Sequence, residues 1–252
     1  MTGVLVTGST RGIGRATAEL FAAHGAHVIV HGLEDDGETV GRIRSAGGTA
    51  DFVAADLTEE GAAERIVDFA MEQAGRLDVL VNNAGANVFG GVLDTDIATW
   101  NRCLDLDLRA VWLCSRAAAR VMDGGAIVNV ASNHAFSTLP GVFPYNVAKA
   151  GVLALTQSLA IELAPIRVNA VCPGYVDTQI TDTYFGGFAD PAAERARIEA
   201  LHPLNRIGQP EEVARAVLFL AGDGFTTGTS LTIDGGRSAL MQDPPAGGTH
   251  GG

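Results

Sequence analysis

Three side chains near the middle of the chain are suited to proton transfer at an alcohol or carbonyl oxygen. Tyr145 and Lys149 are four residues apart, and on a helix this spacing places both on one face. Pro144 immediately before them is typical of a helix start. A phenol has an ordinary pKa of about 10, and a nearby cation favours its phenolate form. Lys149 supplies that cation, so Tyr145 is the expected general acid/base.

Ser132 follows a run of apolar residues, 126–130, that is typical of a buried strand. Ligands of open α/β sheets bind beyond the carboxyl ends of the strands, which places Ser132 near a ligand. Its hydroxyl can donate a hydrogen bond to the substrate oxygen as charge develops there. The alternative is a surface tyrosine and a solvated lysine, since Y-x-x-x-K alone occurs by chance in many proteins.

A glycine-rich turn joins the first predicted strand, 4–6, to a helix predicted over 12–23. Glycines let the backbone approach a pyrophosphate, and the free N–H groups of a helix start favour phosphates. The spacing G-x-x-x-G-x-G differs from the common G-x-G-x-x-G, so an ordinary glycine-rich turn is the alternative. The predicted cofactor contacts here are Gly8, Ser9, Thr10, Arg11, Gly12, Ile13 and Gly14.

Strand and helix patterns alternate almost from end to end. The strands are continuous apolar runs, which are typical of a parallel sheet covered on both faces. We therefore predict an α/β fold with a single doubly wound (Rossmann) sheet of about seven parallel strands and helices on both faces. Long helices are predicted from about Asp96 to Val121 and from Pro144 to Leu163. Residues 1–239 form one predicted domain, and residues 240–252, rich in Pro and Gly, form a flexible tail.

Bulk composition narrows the class of protein. The 252 residues carry a formal net charge of -12, which argues against nucleic acid and anionic membrane surfaces as partners. No apolar run is long enough to span a membrane, and no secretory signal pattern is present. The three cysteines are far apart within apolar runs, which favours a reducing compartment. We expect a cytoplasmic protein without a metal site.

The motifs, in this order, resemble those of the short-chain dehydrogenase/reductase family over roughly residues 3–238. Residues 82–85 are similar to its NNAG, 56–57 to its adenine-contacting pair, 173–178 to its PGxVxT, and 234–236 to its DGG. The resemblance implies an NAD(P)-dependent oxidoreductase that interconverts a ketone and a secondary alcohol. The cofactor contacts that it implies beyond the turn are Asp56, Leu57, Asn83, Ala84, Gly85, Tyr145, Lys149, Pro173, Gly174, Val176 and Thr178.

The resemblance also implies roles for the catalytic side chains. Ser132 orients the substrate, Tyr145 is the acid/base, and Lys149 lowers the pKa of the tyrosine and holds the nicotinamide ribose. One position departs from the family pattern: Asp107 stands, after Trp100, where the family usually has an Asn that helps to hold a water near the lysine. Asp107 stays a catalytic candidate that could pair with Lys149. A cofactor-binding regulator with little or no turnover is the alternative function, and Asp107 is the one feature in its favour.

The choice of nicotinamide depends on the end of the second strand. An acidic residue there would bind the ribose 2′-OH of NAD and repel the 2′-phosphate of NADP. In this chain Gly32 stands at that position, and Arg11 could reach a 2′-phosphate. Glu34, Asp35 and Asp36 act in the opposite sense if they face inward. NADP is therefore weakly favoured over NAD.

The substrate itself is left open by the sequence. Expected substrate contacts are Ser132, Asn133, His134, Phe143, Tyr145 and Tyr184. Residues 179–201 resemble the mobile lid of the family. Members that resemble this chain act on sugars, steroids, acyl-carrier-bound β-ketones and other secondary alcohols. Apolar residues spread around the two long helices, together with the family habit of pairing them, predict a homotetramer.

Overall fold

The computed structural model describes residues 1–34 and 37–240. Its strands are β1 Gly3–Val6, β2 His27–Gly32, β3 Thr49–Ala54, β4 Val79–Asn82, β5 Phe89–Gly90, β6 Ala126–Val130, β7 Phe143–Pro144, β8 Arg167–Pro173 and β9 Ser230–Ile233. Seven of them form one parallel sheet in the order β3-β2-β1-β4-β6-β8-β9. The order reverses beside β1, because β2 and β3 lie on one side of it and β4 on the other. The predicted doubly wound parallel sheet is confirmed.

Two layers of helices cover the sheet. The helices are α1 Gly12–Ala23, α2 Glu38–Ser45, α3 Ala62–Ala74, α4 Ile97–Leu104, α5 Ala110–Ala119, α6 Tyr145–Glu162, α7 Gln179–Gly186, α8 Pro191–Ala200 and α9 Pro210–Ala221. Helices α1, α2 and α9 pack in the core on one face of the sheet, and α3, α5 and α6 pack on the other. Both faces are therefore apolar, which explains the continuous apolar runs.

Strand β1 shows how one strand supplies both cores. Leu5 packs with the core of α3, α5 and α6, whereas Val4 and Val6 pack with the core of α1, α2 and α9. All three side chains are fully buried. Successive side chains of a strand point to opposite faces, so a strand covered on both faces needs an apolar residue at every position.

The helix predicted over 96–121 is divided in the structure. Helix α4 begins after Asp96, whose carboxylate caps it by accepting from the Thr99 N–H. A π-helical segment, Asp105–Arg109, follows it and leads into α5. A π turn inserts an extra residue and changes which side chains face the core, and such turns occur frequently at functional sites. Here the segment buries Asp107.

Two features were not predicted separately. Strands β5 and β7 form a short antiparallel pair, with Phe89 opposite Pro144, immediately before α6. Helix α7 occupies the first part of the predicted lid.

Asp35, Asp36 and the predicted tail beyond Leu240 lie outside the described residues. None of the helices in the described ranges combines the length and the apolarity that a membrane crossing requires.

Candidate active site

The carboxyl ends of β1, β4, β6 and β8 meet at one edge of the sheet. The glycine-rich turn, residues 83–85, Ser132 and residues 173–178 follow these four strands. Together they border a single open cleft with a volume of about 1700 Å³. The cleft lies where the strand order reverses, which is the usual ligand position of such sheets.

The predicted catalytic side chains come together in this cleft. Tyr145 is the first residue of α6, and Lys149 lies one turn later on the same face. The Nζ of Lys149 is 5.5 Å from the centre of the Tyr145 ring and donates to the Val130 carbonyl at 3.2 Å. Ser132 forms a side-chain hydrogen bond with Tyr145. Lys149 is buried and Tyr145 half-buried, so a substrate oxygen can reach the phenol from the cleft.

Asp107 forms a buried ion pair with Lys149. Its Oδ1 lies 3.1 Å from the Nζ, and the Lys149 and Asp107 side chains are 5% and 0% exposed. The Ala86 N–H donates to the same carboxylate at 3.3 Å. A Cβ at Gly85 would lie 2.6 Å from Oδ1 of Asp107, so only a glycine fits beside the pair. The side chain of Asp107 therefore takes part in this site directly.

The charges of the cluster shift the pKa values of its members. Burial raises the pKa of Tyr145 and the Asp107 carboxylate adds to this, while Lys149 and the hydrogen bond with Ser132 act against it. Burial also raises the pKa of Asp107, with Lys149 opposing. Burial disfavours the charged form of Lys149, but Asp107 and Tyr145 outweigh it and raise the pKa of Lys149. Asp107 therefore keeps Lys149 charged and keeps Tyr145 protonated to a higher pH.

The glycine-rich turn has the shape that a dinucleotide needs. Gly8 has a φ of +62°, and a Cβ there would lie 2.8 Å from the Cα of Ala84. A Cβ at Gly14 would lie 2.3 Å from the Gly8 carbonyl oxygen, so the start of α1 packs tightly on the turn. No side chain of the described residues caps the N-terminus of α1, whose first turn contains no acidic residue. Its amide groups at the cleft therefore suit a pyrophosphate, and the residues present fit a dinucleotide cofactor.

Polar side chains hold this turn in place. The Thr7 hydroxyl accepts from the N–H groups of Asn83 and Ala84, both at 3.0 Å. The Asn83 amide donates to the carbonyls of Thr7 and Gly8, both at 2.9 Å. The ends of β1 and β4 are thus bound to each other, and the turn is fixed before any ligand arrives.

Comparisons with known proteins agree with this geometry. A family model described as enoyl-(acyl carrier protein) reductase matches residues 8–238. The cis-4-hydroxycyclohexanecarboxylate dehydrogenase of Sinomonas cyclohexanicum is 42% identical over 94% of this chain and 96% of its own. The 3beta-hydroxysteroid dehydrogenase 1 of Eggerthella lenta is 40% identical, covering 93% of each chain. The structure of Thermoplasma acidophilum aldohexose dehydrogenase superposes with a TM-score of 0.87 at 33% identity, covering 96% of this chain and 97% of that one.

The chain belongs to the short-chain dehydrogenase/reductase family. It is an NAD(P)-dependent oxidoreductase that acts on CH–OH groups and interconverts a ketone and a secondary alcohol. All three relatives are named as dehydrogenases, and nothing in the comparisons favours a regulator without turnover.

All of the predicted cofactor residues border the cleft except Ser9. Ser9 is fully buried. Its hydroxyl donates to the Val6 carbonyl at 2.6 Å and accepts from the His31 N–H at 3.1 Å. Ser9 therefore holds the turn from behind. The others that border the cleft are Gly8, Thr10, Arg11, Gly12, Ile13, Gly14, Asp56, Leu57, Asn83, Ala84, Gly85, Tyr145, Lys149, Pro173, Gly174, Val176 and Thr178.

The predicted substrate residues divide in a similar way. Besides Ser132 and Tyr145, the side chains at positions 133, 134 and 184 border the cleft. The Asn133 amide donates to Asp234 at 3.3 Å and so ties the end of β6 to the turn after β9. Phe143 is placed differently: its ring packs on Trp100, with 5.4 Å between ring centres, and does not border the cleft, so its contact with a substrate stays a prediction. Its neighbour Val142 does, because the short β5–β7 pair turns alternate side chains to opposite sides.

Sequence reasoning missed several residues around the site. His31 accepts from the Gly8 N–H at 3.1 Å, and its Nε2 lies 3.1 Å from the Ala55 carbonyl. Burial lowers the pKa of His31 to about 4, so the ring is neutral at pH 7. Arg15 donates to the Thr10 carbonyl at 2.9 Å and also supports the turn. The sequence analysis considered the adjacent Gly32 for the choice between NAD and NADP, but it predicted no role for His31.

Proposed function

We propose that Tyr145 is the acid/base of the reaction and that Ser132, Lys149 and Asp107 serve it. The observation that carries this proposal is the meeting of all four side chains in the cleft that contains the phosphate-binding turn. The alternative, a surface tyrosine in a chance Y-x-x-x-K, does not explain why Tyr145 lies beside both a buried lysine and a hydroxyl at the end of a central strand.

The chain's own residues account for the movement of the proton. In alcohol oxidation the substrate hydroxyl gives its proton to the Tyr145 phenolate, and in ketone reduction the phenol returns it. The Ser132 hydroxyl donates a hydrogen bond to the same substrate oxygen as charge develops there. Lys149 favours the phenolate and, with Tyr145, would hold the nicotinamide ribose. A bound nicotinamide supplies the hydride chemistry at the carbinol carbon.

We also propose that NADP is preferred over NAD. The residues that end β2, His31 and Gly32, carry no acid, and the ring of His31 is neutral. Glu34, two residues later, borders the cleft and acts in the opposite sense. Arg11 borders the cleft and lies on its exposed side, where its guanidinium donates to the Gln179 side chain at 3.1 Å. That contact joins the turn to the first helix of the lid, and a 2′-phosphate would compete for the same guanidinium.

The substrate that we propose is a secondary alcohol on a ring, or the corresponding ketone. The names of the Sinomonas and Eggerthella relatives specify a hydroxycyclohexane and a hydroxysteroid. Both are rings that carry the reacting hydroxyl. The cleft beside Tyr145 offers mainly aromatic and aliphatic side chains for such a ring: Phe89, Leu139, Val142, Tyr175, Ile180 and Tyr184.

We further propose a cytoplasmic homotetramer with a catalytic domain over residues 1–239. Three large apolar side chains support the assembly, since Ile161 on α6, Phe219 on α9 and Trp112 on α5 are 79%, 70% and 42% exposed. Exposed apolar side chains that form a contiguous patch are typical of subunit contacts. Three buried free cysteines are consistent with a reducing compartment. Light scattering of the purified protein tests the assembly, and a monomer mass would contradict it.

The first experiment is a fluorescence titration with NADPH and NADH in parallel. We expect tight binding of NADPH and weaker binding of NADH. Cofactor turnover is then followed with 4-hydroxycyclohexanecarboxylate and its carboxamide as ring alcohols. Failure of both cofactors to bind would contradict the proposed reaction, and tighter NADH binding would contradict the proposed preference alone.

A further inference from the structure

Arg237 packs on Tyr175, a residue that borders the cleft, and no ion pair with an acidic side chain of the described residues is found for it. It follows β9 in a short 3-10 turn, Arg237–Ala239. Its guanidinium carbon lies 5.0 Å from the centre of the Tyr175 ring, which borders the cleft. Among the described residues no carboxylate forms an ion pair with it, and its buried Nη1 has no hydrogen-bond partner. A buried donor without an acceptor costs free energy, so this geometry is typical of a site that a ligand completes.

The nearest acid in the chain is occupied by other donors. The carboxylate of Asp234, three residues before Arg237, accepts from the Ser238 N–H and hydroxyl at 2.9 and 2.5 Å. It also accepts from the Gly236 N–H at 3.1 Å and the Asn133 amide at 3.3 Å. Its oxygens are thus satisfied by the turn and by the end of β6. The positive charge of Arg237 is left for something outside this turn.

His134 lies close to the reacting centre. Its ring lies 6.4 Å from the Tyr145 ring, between centres, and borders the cleft. Burial lowers the pKa of His134, and the positive charge of Arg237 lowers it further. His134 Nδ1 is also buried without a hydrogen-bond partner among the described residues. An imidazole and a guanidinium, each with a buried nitrogen that no described residue satisfies, therefore lie close enough for the charge of Arg237 to act on His134.

We propose that Arg237, supported by Tyr175 and His134, binds a carboxylate of the substrate. This inference rests on the proposed function, because it places the reacting hydroxyl at Tyr145. The planar fork of a guanidinium matches the two oxygens of a carboxylate. Arg237 is the cation that stacks on Tyr175 in the described part of the chain, and one cation suits a singly charged carboxylate better than a doubly charged phosphate.

The substrate class that follows is a hydroxy acid on a ring and its oxo acid. The carbinol carbon loses a hydride to the oxidised nicotinamide, and its hydroxyl loses a proton to Tyr145. A C=O double bond forms at that carbon, and the carboxylate is unchanged. Arg237 contributes to substrate binding and not to proton transfer. Its removal is therefore expected to raise KM and to leave kcat unchanged.

Steady-state kinetics with two ring alcohols tests the assignment. For the wild type, kcat/KM with 4-hydroxycyclohexanecarboxylate should exceed that with the carboxamide by about 10- to 100-fold, the effect of one charged hydrogen-bonded contact. Arg237→Gln should remove this preference through KM of the carboxylate and leave the carboxamide within about threefold. Arg206→Gln is the matched control, because Arg206 is exposed and already paired with Glu212.

Binding without turnover separates this inference from the proposed reaction. Cyclohexanecarboxylate has no hydroxyl to oxidise, and we expect it to raise the Tm of the cofactor-saturated wild type but not of Arg237→Gln. Cyclohexanecarboxamide should have little effect on either. Equal kcat/KM for both alcohols, or an equal Tm shift in both proteins, would overturn the carboxylate site. Loss of turnover with an intact Tm shift would overturn the reaction and keep the site.

Discussion

Asp107 and Lys149 form an ion pair in which the Oδ1–Nζ distance is 3.1 Å and both side chains are buried. The family pattern has an uncharged asparagine at this position, and the replacement places a carboxyl group within ion-pairing distance of the lysine. A carboxylate here raises the pKa of both Lys149 and Tyr145. Asp107 therefore acts on the pKa values of the site through its side chain, and not only through the position of its backbone in the π-helical segment.

Asp107→Asn is expected to move the pH profile of alcohol oxidation to lower pH. Removal of the carboxylate removes a charge that holds the pKa of Tyr145 up, so the phenolate forms at lower pH. Because alcohol oxidation needs the phenolate, kcat/KM below the profile's midpoint should rise several-fold. The measurement is kcat/KM for alcohol oxidation across the pH range.

Asp105→Asn is the matched control for this experiment. Asp105 lies in the same π-helical segment but pairs with Arg109 at the surface, at 2.9 Å. Its removal should leave the profile in place. If Asp107→Asn also leaves the profile unchanged, the carboxylate has no electrostatic role and only the backbone of the segment matters.

Tyr145→Phe is expected to abolish turnover while cofactor affinity stays within a few fold. The variant keeps the ring and its packing on Phe89, with 5.5 Å between ring centres, and loses only the hydroxyl. Loss of a general acid/base costs about 100- to 10,000-fold in rate. Tyr184→Phe removes a second hydroxyl at the cleft and should keep turnover. Retained activity of Tyr145→Phe would assign the proton transfer to another group.

His31 is expected to make the protein less stable in mild acid. The pKa of His31 is about 4 in the folded protein, against an ordinary value of 6.5. Between these two pH values the unfolded chain binds a proton at His31 and the folded chain does not. The contribution of His31 is complete above pH 6.5 and is lost as the pH falls to 4. At about 1.4 kcal/mol per pH unit, the loss is about 3 kcal/mol.

Urea unfolding at pH 7.5 and pH 4.5 measures this contribution. His31→Asn offers an acceptor to the Gly8 N–H but does not titrate, so its stability should fall less between the two pH values than that of the wild type. His24→Asn, at an exposed helix end, should behave as the wild type. Parallel losses in the wild type and His31→Asn would show that His31 is not the acid-sensitive group.

Gly32→Asp and Gly32→Asn form a pair that tests cofactor choice. A Cβ at Gly32 would lie 2.7 Å from Cγ2 of Thr10, so both variants disturb the turn equally. Only Asp adds a charge that repels a 2′-phosphate. The Kd of NADPH should be about tenfold higher in Gly32→Asp than in Gly32→Asn, with NADH less affected. Identical NADPH affinities would show that the 2′-phosphate lies away from the end of β2.

The sequence by itself determined the elements and the local motifs. Continuous apolar runs predicted the strands on both sides of the glycine-rich turn, and the i, i+4 spacing predicted that Tyr145 and Lys149 share a helix face. These signals are local, because the side-chain periodicity of a helix or a strand repeats within a few residues along the chain. The sequence also indicated Asp107 as a candidate partner of Lys149.

Only the tertiary structure decided which polar groups meet. The π-helical segment leaves no mark in the apolar periodicity, and it buries Asp107 against Lys149. Phe143 faces Trp100 instead of the cleft because of a two-residue strand pair too short to detect in the sequence. His134 and Arg237 lie 103 residues apart in the chain, and each follows the end of a different strand. Such contacts depend on how the layers pack, which no local spacing encodes.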